Sequence, residues 1–402
     1  MSAGAGQLPA PYWWLFAGQA VNSSASFVLP FLALFLTARG FRTEEAGLVV
    51  GLFGGGLLVS GPLAGLTADR FGRRPTILVS LFGGAAATAV LPALHQPAAL
   101  AAAVGLLGLV ASAYRPASSA AVVDLVPPEG RTRAFGLLYW VANLGMSLSA
   151  AGGGLLAARG FGLLFLFDAA TTLVFALLVW WQVPETRPAA PAGGATPGGY
   201  REVLADRWLL LLLGLQLLFL VPFLQFMVAL PVHMSQLGLG PAVYGRVLAV
   251  NGVAIALLQP LAARWLRGLD AGPVLAVASA LVGIGVGAYG LCASAWQFAG
   301  ATLLWSLGEI LAFPTVATLV AALAPAHLRG RYQGLYSVVW GVAMLVSPVL
   351  GASVLDRLGA RALFSGCLVT CLAVAAGHLA AGPGRRRRLA ALAQAEGSRT
   401  AA

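Results

Sequence analysis

The sequence predicts an all-α membrane protein: twelve transmembrane helices in two pseudo-symmetric six-helix halves. Three observations carry that expectation. Only 9% of the 402 residues are charged and 59% are hydrophobic, with a mean hydropathy of +0.87, whereas a soluble domain carries roughly 25% charged residues. Twelve apolar runs lie along the chain, each near the ~20 residues that a membrane crossing requires. A set of residues in the first half also recurs in the second at one constant spacing.

The runs fall at 12–38, 46–67, 76–94, 98–124, 134–158, 161–183, 208–234, 243–266, 272–291, 295–322, 333–355 and 361–381. The connections between them are short, so no extramembrane domain is expected to carry separate chemistry. Residues 1–11 place no basic residue ahead of an apolar core, and the first run is expected to stay as a helix rather than be cleaved. With an offset of 198, Pro62-Leu-Ala falls on Pro260-Leu-Ala, Pro75 on Pro273, Pro116 on Pro314 and Pro127 on Pro325. The same offset carries Arg131, Arg133, Gly136 and Leu137 onto Arg329, Arg331, Gly334 and Leu335. Two parallel halves are therefore expected, 1–183 and 207–381, related by an axis along the membrane normal. Residues 184–206, rich in Ala, Gly and Pro, read as a cytoplasmic linker, and 382–402 as a basic, disordered tail.

All 24 basic residues are arginine. With a cytoplasmic N-terminus, seventeen of them fall on the inner side and five outside (Arg39, Arg42, Arg159, Arg357 and Arg361), leaving Arg115 and Arg246 within runs. The positive-inside rule then puts both termini in the cytoplasm. The net charge of +11 reads as topology and contact with anionic membrane lipid, not as nucleic-acid binding. Arg385 to Arg388 are expected to anchor on that lipid. Cys292, Cys367 and Cys371 show neither disulfide nor metal spacing and read as small packing residues.

The second and third runs are joined by Gly65-Leu-Thr-Ala-Asp69-Arg70-Phe-Gly72-Arg73-Arg74-Pro75. Small residues (Gly61, Ala64, Gly65, Ala68) suit close helix approach, Gly72 permits a tight reversal, and the arginines hold the turn at the membrane surface. The spacing Gly-x-x-x-Asp-Arg-x-Gly-Arg-Arg resembles the signature of major facilitator superfamily transporters at this place. Tyr114-Arg115-Pro116-Ala117, Asp124-Leu-Val-Pro-Pro-Glu129, Gly308-Glu309 and Arg329-Gly-Arg-Tyr-Gln-Gly-Leu-Tyr336 are similar to bacterial drug:proton antiporters of the multidrug-resistance branch. One element departs from that branch: where it usually has Gly-Pro-x-x-Gly-Gly in the fifth helix, residues 149–154 read Ser-Ala-Ala-Gly-Gly-Gly. The resemblance implies a secondary transporter that alternates between inward- and outward-facing states. It also implies a cytoplasmic latch of Gly65, Asp69, Arg70, Gly72, Arg73, Arg74 and Asp124. There the loop's acid faces a helix end of the other half, and its arginine pairs with Asp124.

Ionisable groups inside a bilayer are costly and normally face the bundle interior. Glu309, near the middle of the tenth run, is the first candidate for proton coupling, with Arg115 of the fourth run as its basic counterpart and Asp168 as the second-choice acid. The bland alternatives are a permanent structural ion pair for the first two, and for Asp168 a bond to hydroxyls such as Thr171 and Thr172. Asn22, Tyr114, Tyr139, Gln225, Trp305 and Trp340, with Gln216, supply polar or aromatic faces for a substrate cavity, although packing explains each individually. An aromatic cavity with one acid would suit lipophilic, often cationic, compounds.

Gly54-Gly55-Gly56 and Gly152-Gly153-Gly154 lie in apolar runs with no Lys-Ser/Thr after them, so no nucleotide loop is expected. No nucleophilic triad or metal cluster appears, and neither an enzyme activity nor a cofactor is expected. The combined expectation is a monomeric, multi-pass protein of the bacterial inner membrane that exports small lipophilic molecules in exchange for protons. A carrier for a defined metabolite, such as a sugar or amino-acid derivative, and a transport-dead membrane sensor are the alternatives.

Overall fold

The computed structural model describes residues 8–187, 200–266, 269–324 and 329–400. The side chains of Asp69, Arg131, Arg133, Pro260, Arg264, Arg329 and Arg331 fall outside the described set, as do Arg267, Pro325 and most of the linker.

In chain order the helices are α1 (Ala10–Ser23), α2 (Val28–Ala38), α3 (Thr43–Phe71), α4 (Arg73–Val90), α5 (Pro97–Ala111), α6 (Tyr114–Leu125), α7 (Pro128–Arg159) and α8 (Phe161–Gln182). A short α9 (Tyr200–Leu204) precedes α10 (Arg207–Phe223), α11 (Ala229–Gln236), α12 (Pro241–Trp265), α13 (Ala271–Ala288) and α14 (Ala295–Leu323). The stretch Arg329–Thr400 divides at Gly359 (φ 81°) into α15 (329–358) and α16 (360–400). Among the described residues ten segments are long and apolar enough to cross a membrane, and one of these, Tyr332–Leu392, holds two helices. With α7, whose apolar stretch Ala134–Met146 is shorter, they make the twelve expected spans.

Three spans expected to be continuous are broken. The first span is α1 and α2, the fourth α5 and α6, and the seventh α10 and α11. Pro30 and Pro116 lie in the first turn after the first two breaks, where a missing N–H cannot return a bond to the preceding turn. A broken helix leaves polar backbone groups in hydrocarbon, so side chains must satisfy them. Asp168 of α8 does so for the first span, accepting from the Phe27 and Val28 N–H groups at 2.8 and 3.0 Å. Ser80 of α4 accepts from the Tyr114 N–H at 2.8 Å and donates to the Val110 carbonyl at 2.6 Å, bridging the fourth. In the seventh, Gln225 and Ser347 both donate to the Val221 carbonyl, at 2.9 and 2.8 Å, and Gln225 donates to the Ser347 hydroxyl at 3.0 Å.

The two halves meet along α3 against α15 and α7 against α12. A β-carbon added at Gly54 would lie 2.3 Å from the Met344 carbonyl carbon, and one at Gly154 would lie 2.9 Å from the Pro241 carbonyl oxygen. The contact is backbone on backbone. At the end of the bundle opposite the two termini, charges close it. Arg42 reaches Asp356 at 3.1 Å and Arg357 reaches Glu44 at 2.7 Å, the two pairs crossing between halves. Phe31 meets Tyr244 edge-on at 5.4 Å nearby. None of Glu44, Asp356 and Arg357 stood out in the sequence as more than loop charge.

The tail differs from expectation. Residues expected to be disordered from 382 onward continue α16 as far as Thr400. Protein contacts explain it. Arg386 binds Asp270, Arg388 binds Asp206 at 3.2 Å, and buried Arg385 donates to the His378 carbonyl at 2.9 Å. Three of the four arginines expected on lipid therefore hold the second half together. Asp206 is the hub: Oδ1 caps α10 through the Trp208 and Leu209 N–H groups, at 3.0 and 3.2 Å, and Oδ2 accepts from the Tyr332 hydroxyl at 2.9 Å. Asp206→Ala removes a cap and orphans a buried hydroxyl, an expected cost of ~2–4 kcal/mol. Thermal unfolding of the purified protein should fall by several degrees, and an unchanged midpoint would refute the hub.

Cys292 follows the ninth span, and partial burial pushes its thiol up. Cys367 and Cys371 are buried without a disulfide, in line with the packing reading.

Candidate functional site

Glu309 owes its direction to the residue before it. A β-carbon added at Gly308 would sit 2.5 Å from the Ala278 carbonyl oxygen, so α14 lies hard against α13. One residue further round the helix, Glu309 turns towards α12, where Asn251 Nδ2 donates to its Oε2 at 2.6 Å. The same amide donates to the Ser306 hydroxyl at 3.0 Å, which itself donates to the Thr302 carbonyl at 2.7 Å. Asn251 is 5% exposed and was missed in the sequence, although the criterion that found Glu309, a polar group deep in an apolar run, applies to it equally. From the first half, Tyr139 lies within electrostatic reach of Glu309, and Tyr336 within reach of Tyr139. The cluster stands where the halves face each other. Among the described residues no basic side chain joins it.

Arg115 stands elsewhere. It lines a cavity of about 180 Å³ with Asn22, Tyr114, Asp168, Thr172 and Met344, and Glu309 is not part of that wall. Among the described residues no ion pair joins Arg115 to Glu309, so the two do not form the permanent structural pair that was the bland alternative. In the same cavity Thr172 donates to Asn22 Oδ1 at 2.8 Å, and Tyr114 meets Phe175 edge-on at 5.8 Å. Asp168 is accounted for as the cap of α2.

Other expected cavity residues prove to be packing. Trp305 is 1% exposed, donates its indole N–H to Tyr289, and stacks on Phe226 at 5.9 Å. Gln225 and Gln216 are each 1% exposed, Gln225 clamping the break of the seventh span. These side chains face the interior of the second half, a rotation that residue type alone does not disclose. Trp340 packs on Phe313 at 5.2 Å, while Tyr139 is 49% exposed beside Glu309.

The charged loop is braced by a residue of the expected linker. Glu185 accepts from the Arg73 and Arg74 N–H groups at 2.9 and 3.2 Å, capping α4, and from the Arg187 N–H at 2.8 Å. Gly72 turns with φ 113°, and a β-carbon there would meet the Glu185 carboxylate at 2.3 Å. Arg73 pairs with Asp124 at 3.1 Å, Arg74 donates to the Trp180 carbonyl, and Arg187 donates to the Arg70 carbonyl at 2.7 Å. Each of these contacts lies within the first half or between it and the start of the linker, so none of them latches one half to the other. Gly65 has no neighbour within 4 Å of its would-be β-carbon, so it mediates no close approach here. The Asp69 side chain lies outside the described residues. Glu185→Ala uncaps α4 and should lower stability by ~1–2 kcal/mol. Thermal unfolding reads this directly, and no change would show the loop to be held by its arginines alone.

Among the described residues no three of His, Cys, Asp and Glu gather as metal ligands. The Major Facilitator Superfamily model matches the chain twice, over residues 15–240 and 223–400. The chain belongs to the Major Facilitator Superfamily. Its superfamily relatives are transporters rather than enzymes. They include the MFS-type transporter YttB of Bacillus subtilis, 26% identical over 89% of this chain and 91% of that protein. Multidrug resistance protein MdtH of Cronobacter sakazakii is 30% identical, covering 80% and 81% of the two chains. A Na(+), Li(+), K(+)/H(+) antiporter of Planococcus maritimus is 26% identical, covering 82% and 85%. Among solved structures, the nucleoside transporter NupG superposes with a TM-score of 0.77 at 10% identity, over 91% of this chain and 99% of that one. The human organic anion transporter MFSD10 does so with a TM-score of 0.67 at 22% identity, over 92% and 100%. Both likenesses are of fold. This superfamily member carries Glu309 within an apolar span, held by Asn251 and facing Tyr139 of the first half.

Proposed function

We propose that this transporter exports small lipophilic or cationic compounds in exchange for protons, with Glu309 as the group that takes up and releases the proton. The observation that carries the reading is the Glu309 carboxylate at the junction of the halves, held by the neutral Asn251 amide. An amide donor adds no charge, so loading a proton changes the net charge of the cluster, and movement between the halves alters what that charge meets. Tyr139 gives a cationic or aromatic solute a ring beside the acid. The multidrug and cation/proton relatives support the same direction. The fold supports an alternating-access reading: among the described residues Arg42, Glu44, Asp356 and Arg357 clasp the halves at the end opposite the termini, and a second arrangement would release that end and close the other. From the arginine distribution we place both termini in the bacterial cytoplasm.

The test is movement of tetraphenylphosphonium in proteoliposomes under an imposed pH gradient. Flux that follows the gradient supports the reading. Flux independent of the gradient, with protein that remains folded, overturns it.

A further inference from the structure

Helices α3 and α5 touch closely at one depth and then part. A β-carbon at Gly108 would lie 2.1 Å from the Phe53 carbonyl oxygen, and one at Gly56 would lie 2.3 Å from that of Gly105, so backbones are in contact there. One turn further along α3 the contact ends, because α5 stops at Ala111 and the chain bends through Ser112 and Ala113. The space left between α3, α4 and the end of α5 is a groove of about 540 Å³. Ser60, Leu63, Ala64, Thr67 and Phe71 form one wall at helical spacing. Val79 of the opposite wall is 70% exposed at the rim.

One residue lining this groove carries a polar atom that is unaccounted for. Ser60 is 1% exposed, and its hydroxyl has no hydrogen-bond partner among the described residues. The other lining hydroxyls are satisfied: Thr67 by the Ala64 carbonyl at 3.2 Å, Thr76 by that of Gly72 at 2.9 Å, and Ser80 by that of Val110 at 2.6 Å. A buried hydroxyl without a partner is costly, more so where no water reaches.

We propose that this groove binds a neutral lipophilic solute that shares one hydrogen bond with Ser60. Charge selects the solute. No lining residue ionises, so a charged ligand would find no counter-ion, whereas an apolar body fills the walls. The volume falls within the roughly 300–1,000 Å³ of small-molecule sites. Ser80 lines both this groove and the cavity holding Arg115, so a solute bound here stands one side chain from the polar interior. The proposal rests on the lipophilic-compound reading above and adds to it a site, on the flank of the first half, distinct from the Glu309 cluster.

The full chain in lipid nanodiscs is titrated with N-phenyl-1-naphthylamine, a neutral probe with one N–H that fluoresces in apolar surroundings. Wild type is expected to show a saturable signal absent from protein-free nanodiscs. Ser60→Ala should weaken it by roughly three- to tenfold, Ser60→Thr should restore it, and Thr67→Phe should abolish it by filling the groove. The titration is made without a pH gradient, so its failure is distinguishable from failure of proton coupling, which the proteoliposome flux reads separately. No saturable signal, or one that Thr67→Phe leaves unchanged, overturns the proposal. A phospholipid retained one-to-one by purified wild type and lost from Thr67→Phe, read by native mass spectrometry, would overturn it in favour of a lipid chain.

Discussion

Glu309→Gln is expected to reduce pH-gradient-driven tetraphenylphosphonium flux to the level of protein-free vesicles while leaving gradient-free exchange of labelled for unlabelled probe intact. Gln keeps the shape of Glu and still accepts from Asn251 Nδ2, a contact of 2.6 Å in the native chain, so folding should be little changed. What it loses is the ability to differ by one proton between two arrangements of the halves. A gradient does work only through a group whose protonation differs between states, since a ligand with equal affinity for both shifts nothing. Asn251→Ala offers the complementary result. It leaves the carboxylate without its amide donor, so coupling should persist with an altered pH dependence. Driven flux that survives in Glu309→Gln would move the proton site elsewhere, and Asp168 would be the next residue to test.

Gly54→Val is expected to produce the second large effect, a fall in transport of about ten- to a hundredfold. The added β-carbon would lie 2.3 Å from the Met344 carbonyl carbon and 2.4 Å from the Leu345 nitrogen, atoms of main chain that cannot rotate away. Overpacking of this kind costs ~1–3 kcal/mol. Here the strain falls on the contact between halves and not on the core of either one. Where two arrangements are balanced to within a few kcal/mol, every ~1.4 kcal/mol of bias changes their ratio tenfold. Cross-linking of Glu44→Cys to Ser353→Cys, whose native side chains meet at 3.3 Å, should fall in parallel. Normal transport in Gly54→Val would mean that α3 and α15 need not close at this depth.

Spans, halves and the charged loop were legible in the sequence because they depend on length, hydropathy and repetition, which one chain displays in full. The breaks were not. Ser24 to Phe27 and Ser112 to Ala113 contain neither glycine nor proline, and the prolines that mark them stand a few residues later, where they read as ordinary residues of a continuous run. The acid and hydroxyl that complete each break come from a different span, as Asp168 does for Phe27 across 141 residues, and no spacing rule connects them. Glu309 was legible by depth, but its partner Asn251 depends on the rotation of α14, which Gly308 fixes through a contact with α13. Trp305 and Gln225 failed as cavity residues for the same reason: side-chain type states what a residue could touch, while helix rotation states what it does touch. Glu185 was hidden by its neighbours, since a carboxylate between prolines in a linker gives no sign that it folds back to cap α4.

Helix α16 is a mast. Its 41 residues, 360–400, extend for about 60 Å at 1.5 Å per residue, and the bonds to Asp206 and Asp270 step it into the second half where it leaves the bundle. A probe carried beyond those bonds would turn with that half as one lever arm, magnifying small angular motions of the bundle into displacements large enough to follow on single molecules.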